Sequence, residues 1–266
     1  MAKLKLRDID PATTGKFKDK EDATESIHEL QKKMYDLLYL MFAHDRHSLL
    51  IILQGIDTSG KDGAVRHLFA SANPQGLRVF SFKKPSVLEL RHDFLWRCHR
   101  HVPECGLATI FNRSYYEEVT TVMVHPEYLQ AQNIPDELLQ RDDFFTRRYH
   151  RINDFEKMLA QRGTLVLKFF LHISKAEQKQ RLQVRLRDST KNWKFSADDV
   201  KERRYWDKYM DVFEKMIVHT GTKHAPWHVI PADNKWYRDY LISKITVEAL
   251  SNLKMSFPKV QPGVKI

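Results

Sequence analysis

The chain has 266 residues, enough for one large α/β domain or two small ones with a real core. Hydrophobic residues make up 42% of it, which excludes wholesale disorder, and no apolar run approaches the roughly 20 residues of a membrane-spanning helix. The net charge of +10 attracts polyanions without choosing among nucleic acid, anionic lipid and phosphate chains.

The first residues, Met-Ala-Lys-Leu-Lys-Leu-Arg-Asp, lack the apolar stretch of a secretory signal, so a cytoplasmic location and no membrane partner are expected. Residues 1–22 are polar, carry Pro11 and Gly15, and read as a loosely attached arm. From Thr24 to Ala43 the apolar spacing predicts an amphipathic helix, capped by Thr24 or Asp22. Leu49 to Leu53 is a continuous apolar run, the mark of a buried parallel strand. A glycine turn follows, then a helix from about Lys61 to Ala72 and a turn at Asn73-Pro74-Gln75-Gly76.

Leu77–Phe82 is the second strand, 86–100 a helix, and Leu107–Phe111 the third strand. Helical patterns cover 114–123 and 136–161. Thr164–His172 is the fourth strand, followed by helices at Glu177–Leu186 and Ala197–His219. A short fifth strand at Trp227–Ile230, a helix at Lys235–Asn252 and an irregular tail from Phe257 complete the chain. Strands alternate with helices throughout, so one doubly wound α/β domain with an inserted lid is predicted. Cys98 and Cys105 are seven residues apart, match no zinc or redox motif, and read as free thiols.

The turn after the first strand is Gly55-Ile56-Asp57-Thr58-Ser59-Gly60-Lys61-Asp62. Its glycines and small residues suit a backbone nest around phosphate, the following helix adds a positive dipole end, and Lys61 neutralises a phosphoryl group. Asp62 stands where GxxxxGK[ST] has the magnesium-binding hydroxyl. Asp57 lies inside the loop, where a carboxylate would repel phosphate unless magnesium lay between them. That makes it the first candidate for a magnesium ligand or an orienting base. Read alone, it is also a turn-stabilising Asx residue.

The third strand runs into Phe111-Asn112-Arg113-Ser114-Tyr115-Tyr116-Glu117, at the sheet end where open α/β folds bind ligands. Asn112 takes the place of a Walker B aspartate, and Arg113 faces the crevice. Ser114 and Glu117 also have the spacing of a capping box. Further on, Arg181, Arg185, Arg187, Lys191, Lys194 and Lys201 are interrupted by Trp193 and Phe195. Charge alone makes this a solvated helix face. Its place after the fourth strand makes it a basic lid, spanning about 181–210.

Together these segments, with Lys191-Asn-Trp-Lys-Phe-Ser196 and His224-Ala-Pro-Trp-His-Val-Ile-Pro-Ala-Asp233, resemble the type-2 polyphosphate kinase family over about residues 25 to 250. The resemblance implies a P-loop kinase-like three-layer α/β/α fold with a five-stranded parallel sheet and a helical lid. It implies reversible, Mg2+-dependent phosphoryl transfer between inorganic polyphosphate and nucleotides, with Mn2+ a candidate substitute. By similarity Asp57, Lys61, Asn112, Arg113, Glu117 and Arg185 are the catalytic set. Gly55, Thr58, Ser59, Gly60, Asp62, Gly63, Lys83, Arg181, Arg187, Lys191 and Lys194 are expected to bind phosphate or nucleotide, and Asp57 and Asp62 to hold metal.

Asn112 combined with Glu117 looks like the class III subgroup, which takes AMP to ADP and ADP to ATP. Guanine nucleotides are further candidates, and a homo-oligomer (dimer or tetramer) is expected. An ATP-dependent nucleotide monophosphate-type kinase is the alternative reading. A nucleic-acid-binding protein is a third, but no motif of a nucleic-acid module is present, so nucleic acid is not expected as a partner.

Overall fold

The strands form at the apolar, β-branched and aromatic runs, and the three inner ones are buried on both faces. In the computed structural model, which describes residues 4–70, 72–194 and 196–259, the strands are β1 (Ser48–Gln54), β2 (Leu77–Ser81), β3 (Ala108–Asn112), β4 (Thr164–His172) and β5 (Trp227–Pro231). They make one parallel sheet in the order β2-β3-β1-β4-β5. All seven residues of the central strand β1 are buried, as expected for a strand covered by helices on both faces.

The helices are α1 (Lys20–His44), α2 (Lys61–Ala70), α3 (Trp96–His99), α4 (Thr121–Val124), α5 (Asp136–Leu139), α6 (Phe144–Gln161), α7 (Lys175–Arg187), α8 (Ala197–Glu202), α9 (Trp206–Thr220) and α10 (Lys235–Ser251). Register places the site. Leu53 of β1 lies opposite Asn112 of β3 and Phe169 of β4, so the chain leaves β1 and β3 side by side. The Arg113 N–H then donates to the Leu53 carbonyl at 3.1 Å, tying the two exits together.

Several elements depart from the sequence expectations. The arm is not loose: Leu6 is buried, its N–H donates to Glu214, and Lys5 pairs with Glu214 at 2.9 Å. Further along it, the Pro11 carbonyl accepts from Asp233 N–H and the Ala12 carbonyl from the Asn234 amide. Helix α1 starts four residues early because Asp19 caps it, its Oδ1 accepting from Asp22 N–H at 2.9 Å.

The stretch 86–100 is not one helix. Ser86 and Glu89 form a reciprocal capping box over a 3-10 turn at Glu89–Arg91, and Asp93 then restarts the chain by accepting from Leu95 N–H. The 114–123 segment is a 3-10 turn, Tyr115–Val119, followed by α4, with the break at Thr120. The 136–161 pattern divides around Asp143, which pairs with Arg141 and Arg147. The 197–219 pattern divides into α8, a 3-10 turn at Arg203–Tyr205, and α9. The irregular tail expected from Phe257 lies largely outside the described residues.

One buried network braces the site from below. Lys168 of β4 and Glu156 of α6 are both fully buried and pair at 2.6 Å. Lys168 also donates to Tyr116 and to the Thr220 carbonyl, while Tyr115 and Tyr116 both donate to Glu156. Each polar atom of the ion pair is met by partners, which is the condition for a buried charge pair to be tolerated. The network fixes the two tyrosines that directly follow Arg113 and Ser114. Cys98 is buried, and burial pushes its thiol up to about 12, so it is inert; Cys98 and Cys105 are both free.

Candidate active site

The loop between β1 and α2 has positive φ at Gly55 (148°), Thr58 (67°) and Gly60 (103°). A β-carbon on Gly55 would sit 2.8 Å from the Leu171 carbonyl oxygen and 2.8 Å from Ser59 Oγ, so only glycine fits. The Thr58 and Ser59 hydroxyls are buried without a protein partner, polar groups lining the inside of the turn.

Lys61 opens α2 and folds back over the loop. Its Nζ donates to the carbonyls of Gly55 at 2.7 Å and Ile56 at 3.2 Å. Burial, and then the charge of Arg113, lowers this ammonium to about 8, despite Asp57, Glu117 and Asp62 nearby.

Arg113 occupies the left-handed region (φ 63°) at the exit of β3. A non-glycine residue there is strained, and such strain collects at functional sites. Its guanidinium hydrogen-bonds Asp57 Oδ1 and lies 3.8 Å from Glu117. Burial alone would raise the Asp57 carboxyl, but Arg113, Lys61 and Arg185 together outweigh it and hold the carboxyl below its usual range. Glu117 does not close the capping box its spacing suggests. Ser114 Oγ accepts from Tyr116 N–H, while the Glu117 carboxylate turns to Arg113 and accepts from Thr121 Oγ1 at 2.7 Å. Asn112 at the end of β3 donates to Asp62 Oδ1 at 2.9 Å, linking the two strand exits across the crevice.

A crevice of about 620 Å3 opens over this group. Five cations line it, Lys61, Lys83, Lys84, Arg113 and Arg185, against the three carboxylates Asp57, Asp62 and Asp199. Its electrostatics therefore favour an anion. Lys83, Lys84 and Arg113 also border a second, mostly apolar pocket of about 310 Å3, walled by Phe82, Pro85, Leu90 and Val122. A molecule with phosphate at one end and a flat apolar body at the other fits the pair of spaces.

The cations of the segment expected to form a lid contribute unevenly. Arg185 reaches the crevice and pairs with Asp199 of α8 at 3.1 Å. Burial and the nearby Asp57 raise the Asp199 carboxyl. Arg187 and Lys191 are exposed and lie outside the crevice lining, and Lys191 is engaged by Asp188. The Lys194 side chain lies outside the described residues. Arg181, expected to bind phosphate, instead lies behind the loop. It donates to the carbonyls of Thr58, Ser59, Ala232 and Asp233 and pairs with Glu177, which leaves no N–H for the crevice side. Gly63 likewise meets Arg238 of α10 rather than the crevice.

Sequence reasoning missed Arg238, Gln178 and Asp199. Gln178 donates to the Asp57 carbonyl at 3.1 Å and accepts from Arg203. These three come from distant elements with no motif of their own, so only the fold brings them to the loop. Among the described residues no group of three or more His, Cys, Asp or Glu side chains converges to hold a metal ion. Asp57 and Asp62 on the crevice wall nonetheless fit Mg2+, which uses one or two carboxylates and takes the rest of its octahedral shell from water and substrate phosphates.

The family model described as Polyphosphate kinase 2 matches residues 17–258. The chain is 45% identical to an ADP-polyphosphate phosphotransferase of Rhodopseudomonas palustris, covering 93% of this chain and 86% of the relative. It is 44% identical to an AMP/ADP-polyphosphate phosphotransferase of Meiothermus ruber, covering 97% and 92%. Among solved structures, polyphosphate kinase 2 from Arthrobacter aurescens superposes with a TM-score of 0.90 at 37% identity, over 99% of this chain and 91% of that one. With the phosphate loop, the strained arginine at the β3 exit and the cationic crevice all in place, the chain belongs to the polyphosphate kinase 2 family.

Proposed function

We infer that the protein transfers a phosphoryl group between inorganic polyphosphate and a nucleoside mono- or diphosphate, taking AMP to ADP and ADP to ATP. The observation that carries this is the joint wall of the two spaces. Lys83, Lys84 and Arg113 face both the loop crevice and the apolar pocket. Polyphosphate runs through the cationic crevice, and the nucleotide base takes the apolar pocket. Their terminal phosphates then meet over Asp57 and Arg113.

The chemistry needs positioning and charge neutralisation rather than a covalent enzyme intermediate. The attacking oxygen belongs to a phosphate already ionised near neutral pH, so no strong base is required. Asp57, held ionised by Arg113, Lys61 and Arg185, suits the role of metal ligand better than that of proton acceptor. Lys61, Arg113 and Arg185 neutralise the equatorial oxygens, and the inward-facing amides of the loop add to this. When bound at Asp57 and Asp62, magnesium supplies further charge neutralisation for the phosphates.

Asn112 brings no charge to the acceptor side, which eases the approach of acceptors with different charges. The segment from Arg185 through α8 is proposed to act as a lid over the crevice, with the Arg185–Asp199 pair joining α7 to α8 at the crevice wall. We also propose self-association through the exposed α1 aromatics Tyr35, Tyr39 and Phe42; a monomer mass by light scattering would remove that part. With no helix among the described residues long and apolar enough to cross a membrane, the proposed setting is the cytoplasm. The test is direct. The protein, Mg2+ and polyphosphate are incubated with AMP or ADP, and the nucleotides are resolved by chromatography. ADP and ATP are expected, and absence of product with both acceptors refutes the reading.

A further inference from the structure

Two arginines outside the crevice grip the back of the phosphate loop. Arg181 of α7, 9% exposed, donates through Nη1 to the carbonyls of Thr58 and Ser59, both at 3.0 Å. Arg238 of α10, 2% exposed, donates through Nη1 to the Gly60 carbonyl at 3.1 Å. Three consecutive loop carbonyls thus point at guanidinium groups. In a trans peptide the C=O and the following N–H point in opposite directions. The bonds from Arg181 therefore set the directions of the Ser59 and Gly60 N–H groups, while the Gly60 carbonyl, and with it the Lys61 N–H, is held jointly by Arg238 and by the Gly63 and Ala64 N–H groups at 3.0 Å. The Ser59 N–H closes the turn onto the Ile56 carbonyl at 3.1 Å. The next two are left aimed at the side where phosphate sits.

The guanidiniums are themselves held. Arg181 is fixed by Glu177 and by the carbonyls of Ala232 and Asp233, and Arg238 by a two-nitrogen grip on Asp239. Arg238 also accounts for two loop glycines. A β-carbon on Gly60 would meet its Nη1 at 2.3 Å, and one on Gly63 would meet its Nη2 at 3.0 Å. Gly63 lies in the first turn of α2 without a positive φ and outside the crevice lining, so backbone conformation does not explain it. Room for Arg238 does.

We propose that Arg238, together with Arg181, is a positioning residue that sets the amide nest of the phosphate loop from behind, without touching substrate. The proposal rests on the reading of this loop as the phosphate site.

The test uses the full-length protein with Mg2+, polyphosphate and ADP. Arg238→Lys keeps the charge but cannot hold Gly60 and Asp239 at once with a planar fork. Its kcat should fall about tenfold, because displacements well under 1 Å are costly in an aligned site, with the KM for ADP within about twofold of wild type. Gly63→Ala is the complementary variant. Alanine favours the helix, which offsets part of the cost of pushing the buried Arg238 aside, so Tm should stay within a few degrees of wild type while kcat falls. A merely structural role for Arg238 would not separate rate from stability in this way.

Lys61→Ala serves as the reference. If it is inactive while Arg238→Lys and Gly63→Ala both turn over at the wild-type rate, the positioning role is overturned and the phosphate site stands. If Lys61→Ala keeps the wild-type rate, both fall. Should Arg238→Lys fail to fold, Gly63→Ala alone decides: a slower enzyme that is fully folded at the assay temperature supports the role, and an unchanged rate overturns it.

Discussion

Replacing Lys61 with methionine removes a charge from a site where burial makes that charge costly. The Lys61 ammonium sits at about 8 in the folded protein against an ordinary 10.5, and linkage makes that difference worth about 3 kcal/mol. Because the folded-state value is the lower one, the folded protein sheds this proton first. Between about pH 8 and pH 10.5 only the unfolded chain still carries it, so wild-type stability gains with rising pH through that window. Below about pH 8 the full cost is present, and Lys61→Met escapes it at every pH. Loss of the two bonds to the Gly55 and Ile56 carbonyls costs the variant something, but by the same amount at each pH.

The stability difference between the two proteins should therefore move by about 3 kcal/mol in favour of wild type between pH 7 and pH 10.5. Urea unfolding of both proteins, followed by circular dichroism at several pH values across the window, measures it. Parallel stability curves would show that the ammonium is not desolvated as its burial implies. The same protonation limits activity: kcat/KM should decline above about pH 8, and Lys61→Arg, which stays charged, should lack that limb even if its rate is lower.

Other consequences can be checked separately. Asn112→Asp places a carboxylate against Asp62, and AMP turnover should drop several-fold relative to ADP turnover; an unchanged ratio removes Asn112 from acceptor choice. Arg113→Lys loses the contacts to Asp57 and Glu117 that one planar group makes together, and kcat should fall about 100-fold, a rate close to wild type being the contrary result. Lys168→Met leaves Glu156 buried and unpaired and should cost about 3 to 5 kcal/mol in chemical denaturation, while the Lys168→Met/Glu156→Leu double variant should regain part of it. If the double variant is no more stable than the single, the cost is not one of an orphaned charge. Chelation with EDTA should abolish transfer, and added Mg2+ should restore it.

The parallel sheet was legible because β1 and β4 are apolar runs that no surface helix could carry, and because glycines punctuate the β1 exit. Boundaries were less so. A hydrophobic pattern of period 3.6 does not reveal that Ser86–Glu89 and Asp93 interrupt the 86–100 segment with side-chain bonds to their own backbone. The arm looked loose because its composition is polar, yet buried Leu6 and the Glu214 contacts pin it to α9, and bonds from Asp233 and Asn234 pin it to the β5–α10 connection.

At the site, residues next to glycines or at strand ends could be found from spacing alone, as Asp57, Lys61, Asn112 and Arg113 show. Arg181 was found but given the wrong face, since two arginines four apart on one helix do not say which turn faces inward. Arg181 turns to the loop carbonyls, and Arg185, one turn later, reaches the crevice. Arg238 had no local signal at all, because its role depends on α10 packing beside α2.

In the proposed reaction the phosphoryl group comes from polyphosphate and passes through the site at Lys61 and Arg113. Polyphosphate labelled with 32P, given to the protein with Mg2+ and unlabelled ADP, tests it most directly. At early times the label should appear in the γ-phosphate of ATP, with no labelled ATP from Lys61→Ala. Unlabelled ATP, or labelled ATP formed equally fast by the variant, would contradict it.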